Sequence, residues 1–310
     1  MASTLAQFNC PAKWPWLILA ILIQLFSFGV TPAAAAPQTE LRVTPLENGS
    51  FTASFDGVDH SCILDLPSVT EGAPLVFMLP GYGNTAESFR RTVHFEQDAN
   101  ALGYAVVYVT GAKDPDNSTS AVGWNSGIGD NKNDDVSFLT ALAAYLQKEY
   151  SFDRSRIFAA GFSNGAFMVH RLAMEAGDTF SAFVSVAGMM PLSIWDSRKE
   201  EHTVSIFQIT GEKDDVVPKN YDGSAEHAKD PAIEDVMEYW AASNGLDICE
   251  SEEIGKGSLL TKYRNEEKTN QVWDLFIKDG RHSWPDKKAN DIDINGLIIE
   301  FFDSVSQGTP

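Results

Sequence analysis

Residues 157–165 read IFAAGFSNG and contain the strongest indication of the fold. The apolar run from Ile157 to Ala160 ends at a glycine, and helical periodicity begins at Gly165. An uninterrupted apolar run of this kind is typical of a strand that a parallel sheet buries on both faces. Ser163 therefore falls on a tight turn between such a strand and a helix, where the flanking glycines prevent a clash across the turn.

The same pattern recurs on both sides of this stretch. Further apolar runs end at or near a glycine, and they lie at 75–79, 104–109, 183–187 and 204–210. Segments that read as helices alternate with the apolar runs, at 136–149, 165–176, 231–243 and 291–304. Alternating strands and helices with short connections predict an α/β fold built on a doubly wound, mostly parallel sheet.

The N-terminal edge of this sheet is predicted to be antiparallel. Short β-like runs lie at 41–46, 51–55 and 60–66, separated by Asn48-Gly49 and Asp56-Gly57. Dipeptides of that type favour hairpin turns. Two more strands are predicted at 259–265 and 271–279. Because no repeat or low-complexity linker divides the chain, residues 37–310 are predicted to form one domain.

The first 36 residues have the layout of a secretory signal peptide. Lys13 precedes the apolar run at 14–30, and small residues follow that run. A positive charge, an apolar run and a small-residue cleavage site are the parts of such a leader. We therefore predict that residues 1–36 are a signal peptide and that the mature chain is secreted or periplasmic. The alternative is an uncleaved membrane anchor, although Gln24 interrupts a run shorter than the roughly 20 residues of a full span.

Two cysteines, Cys62 and Cys249, follow the leader. Exported proteins meet oxidising conditions, so a disulfide between these two residues is one expectation. The alternative is that both side chains are buried thiols.

The chain is strongly acidic. It has 43 acidic and 23 basic residues, which gives a net charge of −20. A surface of that sign repels phosphate backbones and anionic headgroups. Nucleic acid is therefore not an expected partner, and contact with a membrane is expected only through an uncleaved leader.

Ser163 is the candidate nucleophile, and a catalytic serine needs a base that is oriented by an acid. His282 is the predicted base because it lies in a turn directly after a predicted strand. His202 precedes a predicted strand and comes too early in the chain, and His227 lies in a polar stretch typical of an exposed surface.

The acid is expected in the loop 211–218, which follows the strand predicted at 204–210. Asp214 and Asp215 both lie in this loop. The position of the loop satisfies the chain order of serine, acid and histidine that accompanies a nucleophile on a strand-to-helix turn. The residues alone leave both aspartates as candidates.

The backbone N–H groups of Tyr82 and Asn164 are the candidate donors to an oxyanion. Asn164 directly follows the nucleophile, and Tyr82 lies in the glycine-flanked loop 80–83 after the strand predicted at 75–79. The glycines allow the backbone to approach a substrate closely. The alternative for this loop is a simple Pro-Gly turn.

These motifs resemble the family of polyhydroxybutyrate depolymerases and feruloyl esterases, which are exported α/β-hydrolases. The resemblance covers roughly residues 60–304. It rests on Pro80-Gly81-Tyr82, Trp124-Asn125, Asp134–Leu139, Gly161–Gly165, Asp214–Pro218 and Gly280–Pro285. The resemblance implies an α/β-hydrolase fold with a triad of Ser163, Asp214 and His282, and it favours Asp214 over Asp215.

The chain departs from the family's pattern at two positions. Pro80 stands where the family commonly has a histidine before glycine, which a backbone donor does not require. Arg281 stands where a glycine often precedes the catalytic histidine. A cation there would narrow the site or attract an anionic group.

The resulting expectation is a secreted serine carboxylic-ester hydrolase that needs no cofactor or metal. Its expected substrates are polymer-derived esters, either feruloyl or acetyl esters of plant polysaccharide or polyhydroxyalkanoate. Trp124 and Trp284 flank the motifs and are predicted to contact the substrate, with ordinary packing as the alternative. Two other functions remain open, namely a serine peptidase and a catalytically silent hydrolase fold that binds carbohydrate or a partner protein.

Overall fold

A mixed sheet of eleven strands runs through a computed structural model of the chain. The structure describes residues 40–113, 121–129, 131–199, 202–219, 230–266 and 270–306. The predicted signal peptide at 1–36 lies outside the described residues. Within the described ranges, no helix combines the length and the apolar character needed to cross a membrane.

The strands and helices alternate through the middle of the chain. The strands are β1 (Arg42–Pro45), β2 (Ser50–Phe55), β3 (Val58–Asp65), β4 (Leu75–Leu79), β5 (Ala105–Val109), β6 (Ala112–Lys113), β7 (Val122–Gly123), β8 (Ile157–Phe162), β9 (Ala182–Val186), β10 (Ser205–Gly211), β11 (Ile248–Ile254), β12 (Ser258–Arg264) and β13 (Val272–Ile277). The helices are α1 (Ala86–Val93), α2 (Phe95–Ala101), α3 (Asp135–Tyr150), α4 (Asn164–Glu175), α5 (Leu192–Asp196), α6 (Ile233–Ser243), α7 (Lys287–Asn290) and α8 (Ile294–Ser306).

The order of strands in the sheet is β1-β2-β3-β5-β4-β8-β9-β10-β13-β12-β11. Strands β5, β4, β8, β9, β10 and β13 pair in parallel with their neighbours in this series. Strands β1, β2 and β3 form an antiparallel edge, and β3 pairs antiparallel with β5. These pairings confirm the predicted α/β class, the mostly parallel sheet and the antiparallel N-terminal edge.

The opposite edge of the sheet is also antiparallel, because β11, β12 and β13 pair as a meander. β11 (ICESEEI) was not predicted as a strand. It pairs on one side with β12, and its acidic residues leave it without a buried apolar face. Edge strands of this kind carry little of the apolar signal by which strands are identified in a sequence.

Helices cover both faces of the central sheet, which is why its strands read as continuous apolar runs. In β4, Phe77 packs into the core that includes residues of α3, α4 and α6. Its neighbours Val76 and Met78 pack into the core on the other face, with residues of α1, α2 and α8. Since successive side chains of a strand point to opposite faces, both faces of β4 are apolar.

The predicted disulfide between Cys62 and Cys249 is wrong. Cys62 lies on β3 and Cys249 on β11, and eight steps between neighbouring strands separate them. At about 4.8 Å a step, the two strands lie tens of ångströms apart. A disulfide needs Cα atoms within about 7 Å. The Cys62 side chain is buried, and this burial raises the pKa of its thiol.

Candidate active site

The loops that follow β4, β8, β10 and β13 meet at one edge of the sheet. These four strands are parallel, so their carboxyl ends lie at the same edge. In open α/β sheets this edge is where ligands bind. The loops place Tyr82, Ser163, Asp214 and His282 there.

Ser163 occupies the turn between β8 and α4 in a strained conformation. Its φ is +52° and its ψ is −119°, which a residue with a side chain rarely adopts. The Ser163 N–H donates to Val186 O of β9 at 3.0 Å, which holds the turn against the sheet. A strained residue that surrounding structure holds in place is typical of a functional site.

The glycines on either side of Ser163 are required by close backbone contacts. A Cβ atom at Gly165 would lie 2.7 Å from Pro80 O and closer still to Leu79 O. A Cβ atom at Gly161 would lie 2.8 Å from the backbone nitrogen of Ala166. Backbone atoms cannot move aside as a flexible side chain can, so both positions exclude any larger residue.

We expect Gly165→Ala to lower the free energy of unfolding by about 3 kcal/mol or more, because the added methyl group forces backbone apart in the core. The control is Gly296→Ala in α8, where a Cβ atom meets only the Asp293 side chain at 3.2 Å or more. Alanine also favours the helix, so this control should be neutral or slightly stabilising. Chemical denaturation measures both, and equal midpoints for the two variants would contradict the packing argument.

Ser163, His282 and Asp214 form a continuous chain of hydrogen bonds. Ser163 Oγ lies 2.9 Å from His282 Nε2, and His282 Nδ1 lies 2.8 Å from Asp214 Oδ2. The Asp214 side chain is fully buried, whereas 17% of the His282 side chain is exposed. The buried Asp214 carboxylate therefore orients the imidazole of His282, while part of the imidazole remains accessible to solvent.

The backbone after Asp214 fixes the orientation of its carboxylate. Asp214 Oδ1 accepts hydrogen bonds from the N–H groups of Val216 and Val217 at 3.0 and 2.8 Å. The other oxygen, Oδ2, is then directed at His282. Asp215 is exposed to solvent. Of the two aspartates that the residues alone left open, the structure therefore brings Asp214 to His282.

The loops that carry Asp214 and His282 are joined to each other by backbone contacts. Lys213 N–H donates to Gly280 O at 2.7 Å. A Cβ atom at Gly211 would lie 2.6 Å from the same carbonyl oxygen. Glycine at position 211 thus permits the close approach that unites residues 68 positions apart in the chain.

The loop after β4 lies directly against the nucleophile. A Cβ atom at Gly81 would lie 3.2 Å from Ser163 Cβ, so the backbone of the loop is in contact with the serine. Gly83 N–H donates to Val122 O at 2.8 Å. The N–H of Gly83 is therefore hydrogen-bonded to β7.

Comparisons with known proteins agree with this arrangement. Residues 93–232 match the family model described as the prolyl oligopeptidase family. The chain is 28% identical over 243 residues to a "Putative esterase NocK" of Nocardia uniformis subsp. tsuyamanensis, covering 71% of this chain and 67% of that protein. It is 25% identical over 150 residues to a bifunctional acetylxylan esterase/xylanase of Neocallimastix patriciarum, covering 48% of this chain and only 20% of that protein.

A solved structure of an acetyl xylan esterase from Aspergillus awamori superposes with a TM-score of 0.53 at 13% identity. The match covers 80% of this chain and 94% of that chain. This chain has the α/β-hydrolase fold. The position of Ser163 on the turn after β8 agrees with the place of the nucleophile in that fold.

The tryptophans that the sequence suggested as substrate contacts are packed against other residues of the fold. Trp124 is 2% exposed, so the prediction that its ring contacts a substrate is wrong. Trp284 is half-buried against Phe89, with ring centroids 5.5 Å apart, and its indole N–H donates to Asn295 Oδ1 at 3.2 Å. The ring that lies beside His282 belongs to Phe162, at 5.1 Å between centroids, and no sequence signal singled it out.

Two other histidines, His60 and His170, are buried in the core. Burial lowers the pKa of both His60 and His170 to about 4. His60 stacks on Phe138, and His170 Nε2 lies 3.1 Å from Gln208 Oε1. Both side chains are therefore neutral near pH 7 and belong to the core. The rejected candidate His227 lies outside the described residues.

A buried carboxyl lies near the site at the start of α3. Burial raises the pKa of Asp135 to about 7, against the opposing effects of Asn125 and Arg171. Asp135 Oδ2 accepts a hydrogen bond from Asn125 N–H at 2.6 Å.

Among the described residues, no group of three or more histidine, cysteine, aspartate or glutamate side chains is arranged to hold a metal ion.

Proposed function

We propose that this α/β-hydrolase is a serine ester hydrolase. The observation that carries the proposal is the unbroken hydrogen-bonded chain from Asp214 through His282 to the Ser163 hydroxyl. Nucleophile, base and orienting acid are the parts that acyl transfer requires. The esterase names of the two relatives support the same reaction.

In the proposed reaction, Ser163 Oγ attacks the carbonyl carbon of the ester while His282 Nε2 takes the hydroxyl proton. The tetrahedral intermediate then expels the alcohol, which leaves with the proton from His282. A water molecule next gives a proton to His282 and attacks the acyl-enzyme. Collapse of the second intermediate releases the carboxylic acid, and Ser163 regains its proton. Asp214 keeps Nδ1 protonated throughout and stabilises the imidazolium.

The N–H groups of Tyr82 and Asn164 are the proposed donors to the negatively charged oxygen of both intermediates. Asn164 also begins α4, so the positive end of that helix's dipole points towards the developing charge. Donors held in place before the reaction need no reorganisation as charge develops.

We propose that the substrates are polymer-derived esters, namely acetyl or feruloyl esters of plant polysaccharide or polyhydroxyalkanoate. The relative named as an acetylxylan esterase supports the polysaccharide ester. Exposed apolar side chains on two of the catalytic loops support a bulky substrate, since Tyr82 is 49% exposed and Val216 58% exposed. Export through residues 1–36 is part of this proposal and rests on the leader's layout.

The proposal is tested by labelling and by a substrate panel. We expect a fluorophosphonate to modify Ser163, located by peptide mass spectrometry, and p-nitrophenyl acetate to be hydrolysed. Release of acetate from acetylated xylan, of ferulate from methyl ferulate, or of monomer from hydroxybutyrate oligomers then ranks the substrates. A folded protein with neither labelling nor hydrolysis would support the catalytically silent binding protein instead.

A serine peptidase is the second candidate, and the match of residues 93–232 to the prolyl oligopeptidase family model favours it. Peptide cleavage needs the same nucleophile and base but expels an amine. The comparison is hydrolysis of a prolyl peptide p-nitroanilide against p-nitrophenyl acetate at equal enzyme concentration. An anilide rate comparable to the ester rate would overturn the esterase proposal in favour of the peptidase.

A further inference from the structure

Residues 122–126, here called the bridging segment, lie between the loop after β4 and the start of α4, which carry the proposed oxyanion donors Tyr82 and Asn164. On one side the segment binds the loop after β4. Val122 O accepts the N–H of Gly83 at 2.8 Å, and the indole Nε1–H of Trp124 donates to Pro80 O at 3.0 Å. These two bonds hold the backbone immediately before and after Gly81-Tyr82.

On the other side, the bridging segment binds the side chain of Asn164. The backbone N–H of Trp124 donates to Asn164 Oδ1 at 2.7 Å, and Asn164 Nδ2 donates to Ser126 Oγ at 3.1 Å. The carboxamide of Asn164 is thus held at both ends, and its backbone N–H is one of the two proposed oxyanion donors. Trp124 is the residue that hydrogen-bonds to both loops.

Close packing makes this connection rigid. Trp124 is 2% exposed and Ser126 is fully buried. A Cβ atom at Gly123 would lie 2.9 Å from the Tyr82 ring and 3.2 Å from Asn164 Oδ1. The backbone of the segment therefore lies directly between Tyr82 and Asn164, with no room for a larger residue.

The bridging segment is itself fixed to two helices. Asn125 N–H donates to Asp135 Oδ2 of α3 at 2.6 Å. Asn125 O accepts from Arg171 Nη1 of α4 at 2.6 Å. The segment is consequently anchored to the body of the fold on the side away from the two loops.

We propose that Trp124 is a positioning residue that sets the distance between the Tyr82 and Asn164 N–H groups. The inference rests on the proposed function, in which these groups bind one oxyanion. Two donors serve one oxygen only when both lie about 2.7–3.1 Å from it, and here they come from loops distant in the chain. The Trp124 indole N–H binds Pro80 O in the loop after β4, and the Trp124 backbone N–H binds Asn164 Oδ1 at the start of α4, so one rigid residue keeps that distance constant between turnovers.

The test is Trp124→Phe, which keeps an aromatic ring in the core and removes the indole N–H. We expect kcat for p-nitrophenyl acetate to fall about 10- to 100-fold, because the misplaced donors stabilise the transition state less well. KM should stay within about twofold of the wild-type value, because these donors contribute little to binding of the substrate before it reacts. The affinity for a trifluoromethyl ketone, which adds to Ser163 to form a tetrahedral oxyanion, should fall by a similar factor. Modification by fluorophosphonate should still occur at Ser163.

The matched control is Trp240→Phe in α6. Trp240 is also fully buried, and its indole N–H has no hydrogen-bond partner within the described ranges. The Trp240→Phe protein should keep the wild-type kcat and affinity for the trifluoromethyl ketone, even if its thermal stability is lower. Equal kinetic effects of the two substitutions, or a Trp124→Phe protein with wild-type kcat, would overturn the inference.

Ser126→Ala keeps the inference testable if Trp124→Phe does not fold. It removes the acceptor of Asn164 Nδ2 and changes only one atom. We expect a smaller fall in kcat, about 3- to 10-fold, with KM unchanged, and an unchanged kcat would count against the inference. If the proposed function is wrong, the wild type itself shows neither labelling nor hydrolysis. If only this inference is wrong, the wild type and the variants all keep hydrolysis that depends on Ser163.

Discussion

Ser163→Ala is expected to lower kcat for p-nitrophenyl acetate by about 10⁴- to 10⁶-fold. The hydroxyl oxygen that forms the acyl-enzyme is lost, and His282 then has no nucleophile to deprotonate. Activity that remains should reflect direct attack by water in the oxyanion site. The measurement is the initial rate at saturating substrate, corrected for the spontaneous rate.

The fold of Ser163→Ala should be intact, since alanine adds no atoms at a strained backbone position. The matched control is Ser283→Ala, which removes an exposed hydroxyl next to His282 and should retain wild-type kcat. Comparable rates for wild type and Ser163→Ala would contradict both the assignment of Ser163 as the nucleophile and the esterase proposal. Comparable losses in both variants would indicate disturbance of the His282 turn instead.

Asp214→Asn is expected to lower kcat by about 10⁴-fold. In the wild type, Asp214 Oδ2 accepts from His282 Nδ1, which leaves Nε2 able to accept the proton of Ser163. In the variant, the amide oxygen is retained by the N–H groups of Val216 and Val217, so the amide NH₂ faces His282. The imidazole then takes the opposite tautomer, with its proton on Nε2, and cannot act as a base towards Ser163.

Asp215→Asn is the control for that substitution, because it makes the same chemical change one residue along the same loop. Asp215 is exposed, and we expect its variant to retain kcat within about twofold. Thermal unfolding of both proteins shows whether the loop itself is preserved. A larger loss from Asp215→Asn than from Asp214→Asn would reverse the assignment of the orienting acid.

The sequence was sufficient to predict those structural elements that are specified by residues close together in the chain. The turn around Ser163 is specified by an apolar run, two glycines and a helix that follow one another within a few residues. The position of His282 could also be predicted, because the parallel sheet brings the ends of its strands to one edge. The choice between Asp214 and Asp215 could not be made from the residues alone, since they are adjacent and chemically identical.

The incorrect predictions share one cause. Trp124 was assigned to a substrate surface because it neighbours the motifs in the chain, and the structure buries its ring in the core. Cys62 and Cys249 were paired because both remain after the leader, yet they lie eight strand steps apart. That two residues are the only ones of their type after the leader, or that one lies near a motif in the chain, does not place them close in space. Distances in the fold depend on the order of the strands in the sheet.

The amino-acid sequence alone determined the α/β class, the mostly parallel sheet and the strand-to-helix turn of Ser163, because apolar periodicity and glycine placement act over a few residues. The tertiary structure decided which aspartate meets His282, and that the buried Trp124 indole binds Pro80 O in the loop after β4 instead of facing a substrate. Those outcomes depend on contacts between residues about 40 to 70 positions apart. Such contacts form only when the strands have taken their order in the sheet.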